Sequence, residues 1–276
     1  MKPVFATGKE ASTVEMITKY SAKEDAPMKS IQISLTPAAG KQLIALGLSE
    51  NEELRCALNH RTVVIVAGTT NTYAAKTILE MLGETGFTGK HFFRGIVSGQ
   101  SIPADLPEMD GDVVIEKGRW IRGKTIQEVT PSLSAGDIIL KGANAVDLKT
   151  GEAAILIGHP EGGTLASIWQ ANVGRRVRVI VPAGVEKRVD GPINELCVLC
   201  NGAEASGARL AAAPGKAYTE IDAIFELTGA KATLIAAGGV CGYEGAAWFQ
   251  CTGTDEQLEK LQEVVRKVKN TPAFQF

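Results

Sequence analysis

Two segments of the chain repeat one pattern: an apolar run, a small glycine-bearing turn, then a helix-length stretch. From Thr62 to Gly83 the sequence reads TVVIVAGTTNTYAAKTILEMLG, a β-branched strand feeding a Gly-Thr-Thr-Asn-Thr turn and a helix. From Ala135 to Val189 the runs DIILKG, AAILIG and VRVIVPA each end in a small, polar turn, and TLASIWQANVG separates the last two. In that intervening segment Leu165, Ile168, Trp169 and Val173 fall on one helical face, which makes Trp169 an expected core anchor. Strands alternating with helices over residues 30–190 predict an α/β layer structure with a mostly parallel sheet, Rossmann-like in arrangement. In such sheets, ligands sit outside the carboxyl ends of the strands. SIQISLT alternates as a further strand, Thr36 with Pro37 opens a helix, and Ser49 with Glu52 forms a weak capping box for the next one. HFFRGIV reads as a strand, and DVVIEKGRWI with RGKTIQEV as a hairpin-like excursion.

After Pro192 the pattern changes. ELCVLCN reads as a strand, YTEIDAIFELTG as an amphipathic helix, KATLIAAGGV and GAAWFQCTG as a hairpin. Thr254 caps EQLEKLQEVVRKVK, whose apolar stripe is Leu258, Leu261, Val264, Val265 and Val268, and AFQF closes the chain. The order β-α-β-β-α-β predicts a ferredoxin-like α+β unit over residues 193–276. The division expected is an N-terminal arm at 1–27, the α/β domain at 28–192 and this C-terminal unit. NGAEASGARLAAAPGKA reads as a flexible connection.

Composition narrows the classes. A chain of 276 residues with 45% hydrophobic and 22% charged residues is globular in type and can bury a sizeable core. The net charge of −2, with Lys and Arg dispersed, offers no basic face for nucleic acid. No apolar run approaches the roughly 20 residues of a membrane span, and no signal-peptide core is present. Cytoplasmic location and a two-fold homodimer are the default expectations. Five scattered cysteines fit reduced thiols. Cys197 and Cys200, read on a strand, would point to opposite faces, which disfavours a shared metal, and neither metal nor cofactor is expected.

Gly68-Thr69-Thr70-Asn71-Thr72 is the leading candidate for chemistry. It brings backbone N–H groups and hydroxyls to a helix N-terminus, a combination that favours an anion. Lys141 and Lys187 follow strand ends and would add positive charge to the same crevice. His159 and Glu161 in the turn GHPEGG are the candidate proton-transfer groups.

The order of these motifs resembles type A ribose-5-phosphate isomerases and their superfamily, which includes glucosamine-phosphate deaminases and CoA transferases. The family's G-T-G-S-T turn is similar to Gly68–Thr72, and its D-G-A-D-E-V-D to Lys141-Gly142-Ala143-Asn144-Ala145-Val146-Asp147. Its L-I-K-G-G-G-G-A-L resembles Leu156–Leu165 with one insertion, and its strand ending in D-E-S-K is similar to Val181-Pro182-Ala183-Gly184-Val185-Glu186-Lys187. The likeness covers residues 60–190 and implies a sugar-phosphate-type crevice with a lid-type unit after it. Within it, Asn144, Asp147, Gly162 and Gly163 join the ligand-binding candidates. The departures fall on the chemistry. Lys141 and Asn144 stand where the isomerases carry two aspartates, Gly158 replaces the turn lysine, and Ile168 falls near the catalytic glutamate. The resemblance therefore implies a binder of a small phosphorylated or carboxylated metabolite that does not isomerise ribose-5-phosphate, its catalysis left open. The alternative is a sugar-phosphate- or acyl-CoA-processing enzyme using Glu161 or His159.

Overall fold

The computed structural model describes residues 28–94, 109 and 111–275. The expected arm at 1–27 and the end of HFFRGIV lie outside these residues. Twelve strands and eight α-helices are present among them: β1 (Lys29–Leu35), α1 (Pro37–Glu50), α2 (Glu52–His60), β2 (Thr62–Ile65), α3 (Thr69–Met81), β3 (Val113–Glu116), β4 (Arg119–Ile121), α4 (Ile126–Val129), β5 (Ile138–Leu140), β6 (Ala145–Asp147), β7 (Glu152–Ile157), α5 (Gly163–Arg175), β8 (Arg178–Pro182), α6 (Ile193–Cys200), β9 (Arg209–Ala212), β10 (Lys216–Tyr218), α7 (Glu220–Thr228), β11 (Lys231–Ala237), β12 (Ala247–Gly253) and α8 (Asp255–Val268).

The main sheet has six strands in the order β10-β8-β5-β2-β3-β4. The first four are parallel, and the β3–β4 hairpin adds an antiparallel edge. Alternation on β2 sends Val63 and Ile65 to one face and Val64 and Val66 to the other, all fully buried. Helices α1, α2 and α3 cover the first face with Leu48, Leu54, Leu58 and Ile78, while α4 and α5 cover the second with Ile126, Leu165 and Ile168. Burial on both faces is why these strands read as continuous apolar runs.

Two three-stranded antiparallel sheets flank it. In β1-β12-β11, β1 pairs along its whole length with β12, from Lys29 opposite Gly253 to Leu35 opposite Ala247. Its inner face (Ile33, Leu35, Phe249, Cys251) packs on Leu258, Leu261, Val264 and Val268 of α8, Ile224 of α7 and Leu43 of α1. Elements from both sides of residue 192 thus share one core. Gly47 permits the α1–α7 contact, since a Cβ there would stand 2.8 Å from the Ala223 backbone.

Several local expectations are corrected. ELCVLC is helix α6, not a strand, so the β-α-β-β-α-β order does not form and AFQF adds no strand over residues 273–275. The helix puts Cys197 and Cys200, three apart, on one face, beside Ile193 and Leu210. AAILIG is β7, which lies antiparallel between β6 and β9 and outside the main sheet. The segment read as a flexible connection contains β9 and the start of β10, the latter a parallel edge strand. His91 to Arg94 form no strand. Asn51, not Ser49, caps α2, its Oδ1 accepting the Leu54 N–H at 3.0 Å. Trp169 is 42% exposed and Val173 67%, so the α5 face that anchors the core is Leu165, Ile168 and Ala171 alone. The caps at Thr36 and Thr254 form as expected. Among the described residues no helix is long and apolar enough to cross a membrane.

Candidate functional site

The carboxyl ends of β2, β5, β8 and β10 open on the same edge of the main sheet. At the first, the chain passes through Val66-Ala67-Gly68 into α3. Asn71, fully buried, staples this turn in place: its amide donates to the carbonyls of Val66 (2.7 Å) and Leu140 (3.0 Å), at the ends of β2 and β5. The Phe92 carbonyl occupies part of the expected cradle. It accepts the Gly68 N–H at 3.0 Å and lies 3.2 Å from the Thr72 hydroxyl, which is also 3.1 Å from the Gly68 carbonyl. Thr72 is therefore turned to the backbone. The first-turn amides of Thr69, Thr70 and Asn71 have no partner among the described residues, and no side chain caps the helix. The Thr70 hydroxyl is buried and without a partner among the described residues, as is the Asn71 side-chain oxygen Oδ1, an acceptor. Buried donors are rarely left so.

Lys141 follows β5, its N–H bonded to the Ile180 carbonyl of β8 at 3.1 Å. Burial pushes its ammonium down to about 8, against the attraction of Asp112 and with help from Arg94 and Lys187. Lys187, in the turn after β8, donates to the Ala143 carbonyl at 2.6 Å and is likewise lowered by burial, with Glu186 opposing. Asp112 enters β3 fully buried. Its carboxylate accepts the Ala67 N–H at 2.9 Å, the Ile126 N–H at 2.8 Å and the Arg94 guanidinium at 2.6 Å. Arg94 and Asp112 thus tie the β2 turn to the hairpin and flank Lys141. Neither was marked by a motif; an acid directly preceding the apolar run VVI was the available signal.

Glu220 opens α7 beyond β10. It is buried against Gly40, where a Cβ would stand 2.2 Å from its Oε1, and it accepts the Val185 N–H at 2.9 Å. Burial, then repulsion from Glu186, pushes its carboxyl from 4.5 up to about 8. An acid that holds its proton more tightly when folded contributes stability at low pH. That contribution is lost as pH rises through the window from 4.5 to about 8. Glu220→Gln should flatten this part of the stability profile; urea midpoints at pH 5, 6.5 and 8 check it, and an unchanged slope would refute the assignment.

The structure brings together Gly68, Thr69, Thr70, Asn71, Thr72, Lys141 and Lys187. The other candidates lie on β6, β7 and the turns beside them. Asn144 bonds Ala154 and Leu156 across β6–β7. Asp147 accepts the Lys149 N–H at 2.8 Å and the Thr150 hydroxyl at 3.0 Å, bonds that hold its carboxyl below the usual range. His159, Glu161 and Gly162 lie in the turn between β7 and α5, whose first residue is Gly163, and His159 Nδ1 accepts the Glu161 N–H at 3.2 Å. That turn borders a separate cavity of about 300 Å³ lined by Leu165, Trp169, Asn201 and Arg209. Among the described residues no group of three or more His, Cys, Asp or Glu side chains could hold a metal ion. Comparison of the chain with protein-family models, curated proteins and solved structures found no match.

Proposed function

We propose that this protein binds a small phosphorylated or carboxylated molecule at the carboxyl ends of β2, β5 and β8, in a Rossmann-like, isomerase-like crevice. The observation that carries the reading is the unpaired donor set at α3: three first-turn amides and the buried Thr70 hydroxyl. Lys141 stands where Asn71 joins α3 to β5, and Lys187 is its electrostatic neighbour. An anion would satisfy the amides, gain from the helix dipole and offset two desolvated ammonium groups.

Thr70, not Thr72, is the residue to test. Losing one hydrogen bond to a charged group costs about 1.5–3 kcal/mol, so Thr70→Val should weaken binding of inorganic phosphate by about ten- to a hundredfold. Thr72→Val should leave affinity close to that of the parent protein, because its hydroxyl serves the Gly68 and Phe92 carbonyls. Calorimetric titration with phosphate and sulfate measures both. Equal affinity of Thr70→Val and the parent protein would sink the reading.

Ribose-5-phosphate isomerisation is not the expected activity. The family's base would fall near Ile168, which is fully buried and without a titratable group.

A further inference from the structure

We propose that the cavity between the β7–α5 turn and β9 binds a small aromatic carboxylate, its ring on Trp169 and its carboxylate on Arg209. The site shares no residue with the α3 turn, so it stands or falls independently of the anion reading above.

The cavity, about 300 Å³, lies at the lower end of the range that encloses a small organic molecule. Its walls are mostly apolar: Ile157 of β7, Leu165 and Trp169 of α5, Leu210 and Ala211 of β9. Trp169 has no part in anchoring its helix. Leu165, Ile168 and Ala171 do that, while the indole stands exposed on the cavity wall beside the small Ala166. An indole face open to water is apolar surface that a flat ring would cover, with a preferred stacked or edge geometry as well as area.

The charge of the site fixes the other half of the ligand. Among the described residues that line the cavity, Arg209 is the one with a permanent charge. Its guanidinium is held against the end of β7, donating to the carbonyls of Ile157 at 3.4 Å and Gly158 at 2.7 Å. Two of its five N–H groups are used in this way, and the rest form a planar fork suited to a carboxylate. No described Asp or Glu forms an ion pair with it. His159 also lines the cavity; its Nδ1 accepts the Glu161 N–H, which leaves Nε2 as the donor nitrogen. Asn201 fixes the β9 side, donating to the Leu210 carbonyl at 2.7 Å and accepting the Leu210 N–H at 3.0 Å. Wall and cation are thus positioned before a ligand arrives, which lowers the ordering cost of binding. A sugar phosphate would leave the apolar walls uncovered, and a hydrocarbon would leave Arg209 unpaired. An aromatic ring bearing a carboxylate satisfies both.

The test titrates the full chain calorimetrically with phenylacetate, beside phenylacetamide as the neutral analogue and acetate as the ring-free one. Phenylacetate is expected to bind at least about tenfold more tightly than either. Trp169→Ala should weaken it by about tenfold and Arg209→Gln by about ten- to a hundredfold. Ala166→Met, which narrows the cavity from an exposed helix position without touching Arg209 or Trp169, should weaken it by at least about tenfold while the melting temperature holds. Thr70→Val and excess inorganic phosphate should leave phenylacetate affinity unchanged, which separates this cavity from the α3 turn. Phenylacetate binding that phosphate displaces, that Trp169→Ala and Ala166→Met do not weaken, or that phenylacetamide equals would overturn the inference, as would no binding at all. Sedimentation shifting from dimer to monomer on Trp169→Ala would make this wall an interface between copies and overturn it too.

Discussion

Phe249→Ala is expected to destabilise the protein by about 3–5 kcal/mol, a large part of the roughly 5–15 kcal/mol that holds a typical domain together. Phe249 is fully buried at the middle of β12, opposite Ile33 of β1 and Leu234 of β11. It belongs to the core between that sheet and helices α1, α7 and α8, which also holds Val185 from the turn after β8. Truncation leaves a cavity that neighbours on three helices cannot close without moving. The cavity also undercuts the turn that carries Lys187. Urea unfolding followed by tryptophan fluorescence and far-ultraviolet circular dichroism measures the loss. A midpoint within error of the parent protein's would show that this core contributes little.

Asp112→Ala should have a comparable effect by another route. The carboxylate, itself fully buried, satisfies two backbone amides and one partly exposed guanidinium. Breaking a buried charge pair costs about 3–5 kcal/mol, and here the loss falls mainly on the two amides left without an acceptor, because Arg94 is partly exposed. Loss should be local as well as global, with faster hydrogen exchange at Ala67 and Ile126, whose N–H groups would have nothing to bond. An unchanged melting temperature together with unchanged exchange at those two amides would contradict the role given to Asp112.

The strand ends that carry the candidate site were legible in the sequence where local chemistry marks them. An apolar β-branched run followed by Gly68-Thr69 or by Lys141-Gly142 signals a strand end at a sheet edge, and the structure places both there. What hydrophobic pattern cannot report is which sheet a strand joins. AAILIG has the same texture as DIILKG, yet β7 pairs with β6 and β9, and His159 and Glu161 go with it. ELCVLC illustrates a second limit, since a short apolar run fits helix and strand equally. Pro192 ahead of it and Glu195 in its first turn were the helix signals available. Arg94 and Asp112 escaped because their importance lies in a contact across 18 positions of chain that no local periodicity records. The Thr72 hydroxyl was misjudged for the same reason: its neighbour, the Phe92 carbonyl, is 20 positions away.

On the ribosome the β1–β12 pairing imposes a wait. β1 is made early, but its partner begins at Ala247, so at about 5–20 residues per second the strand spends roughly ten to forty seconds without it. During that interval the apolar side of β1 and the Leu43 face of α1 lack the residues that later cover them. Synthesis through Val181 already supplies β2, β5 and most of β8, so the layers on the main sheet can assemble first and the flanking sheet last. A nascent chain arrested before β12 would therefore present a partly built site and an open apolar strand edge, the kind of surface that holdase chaperones capture.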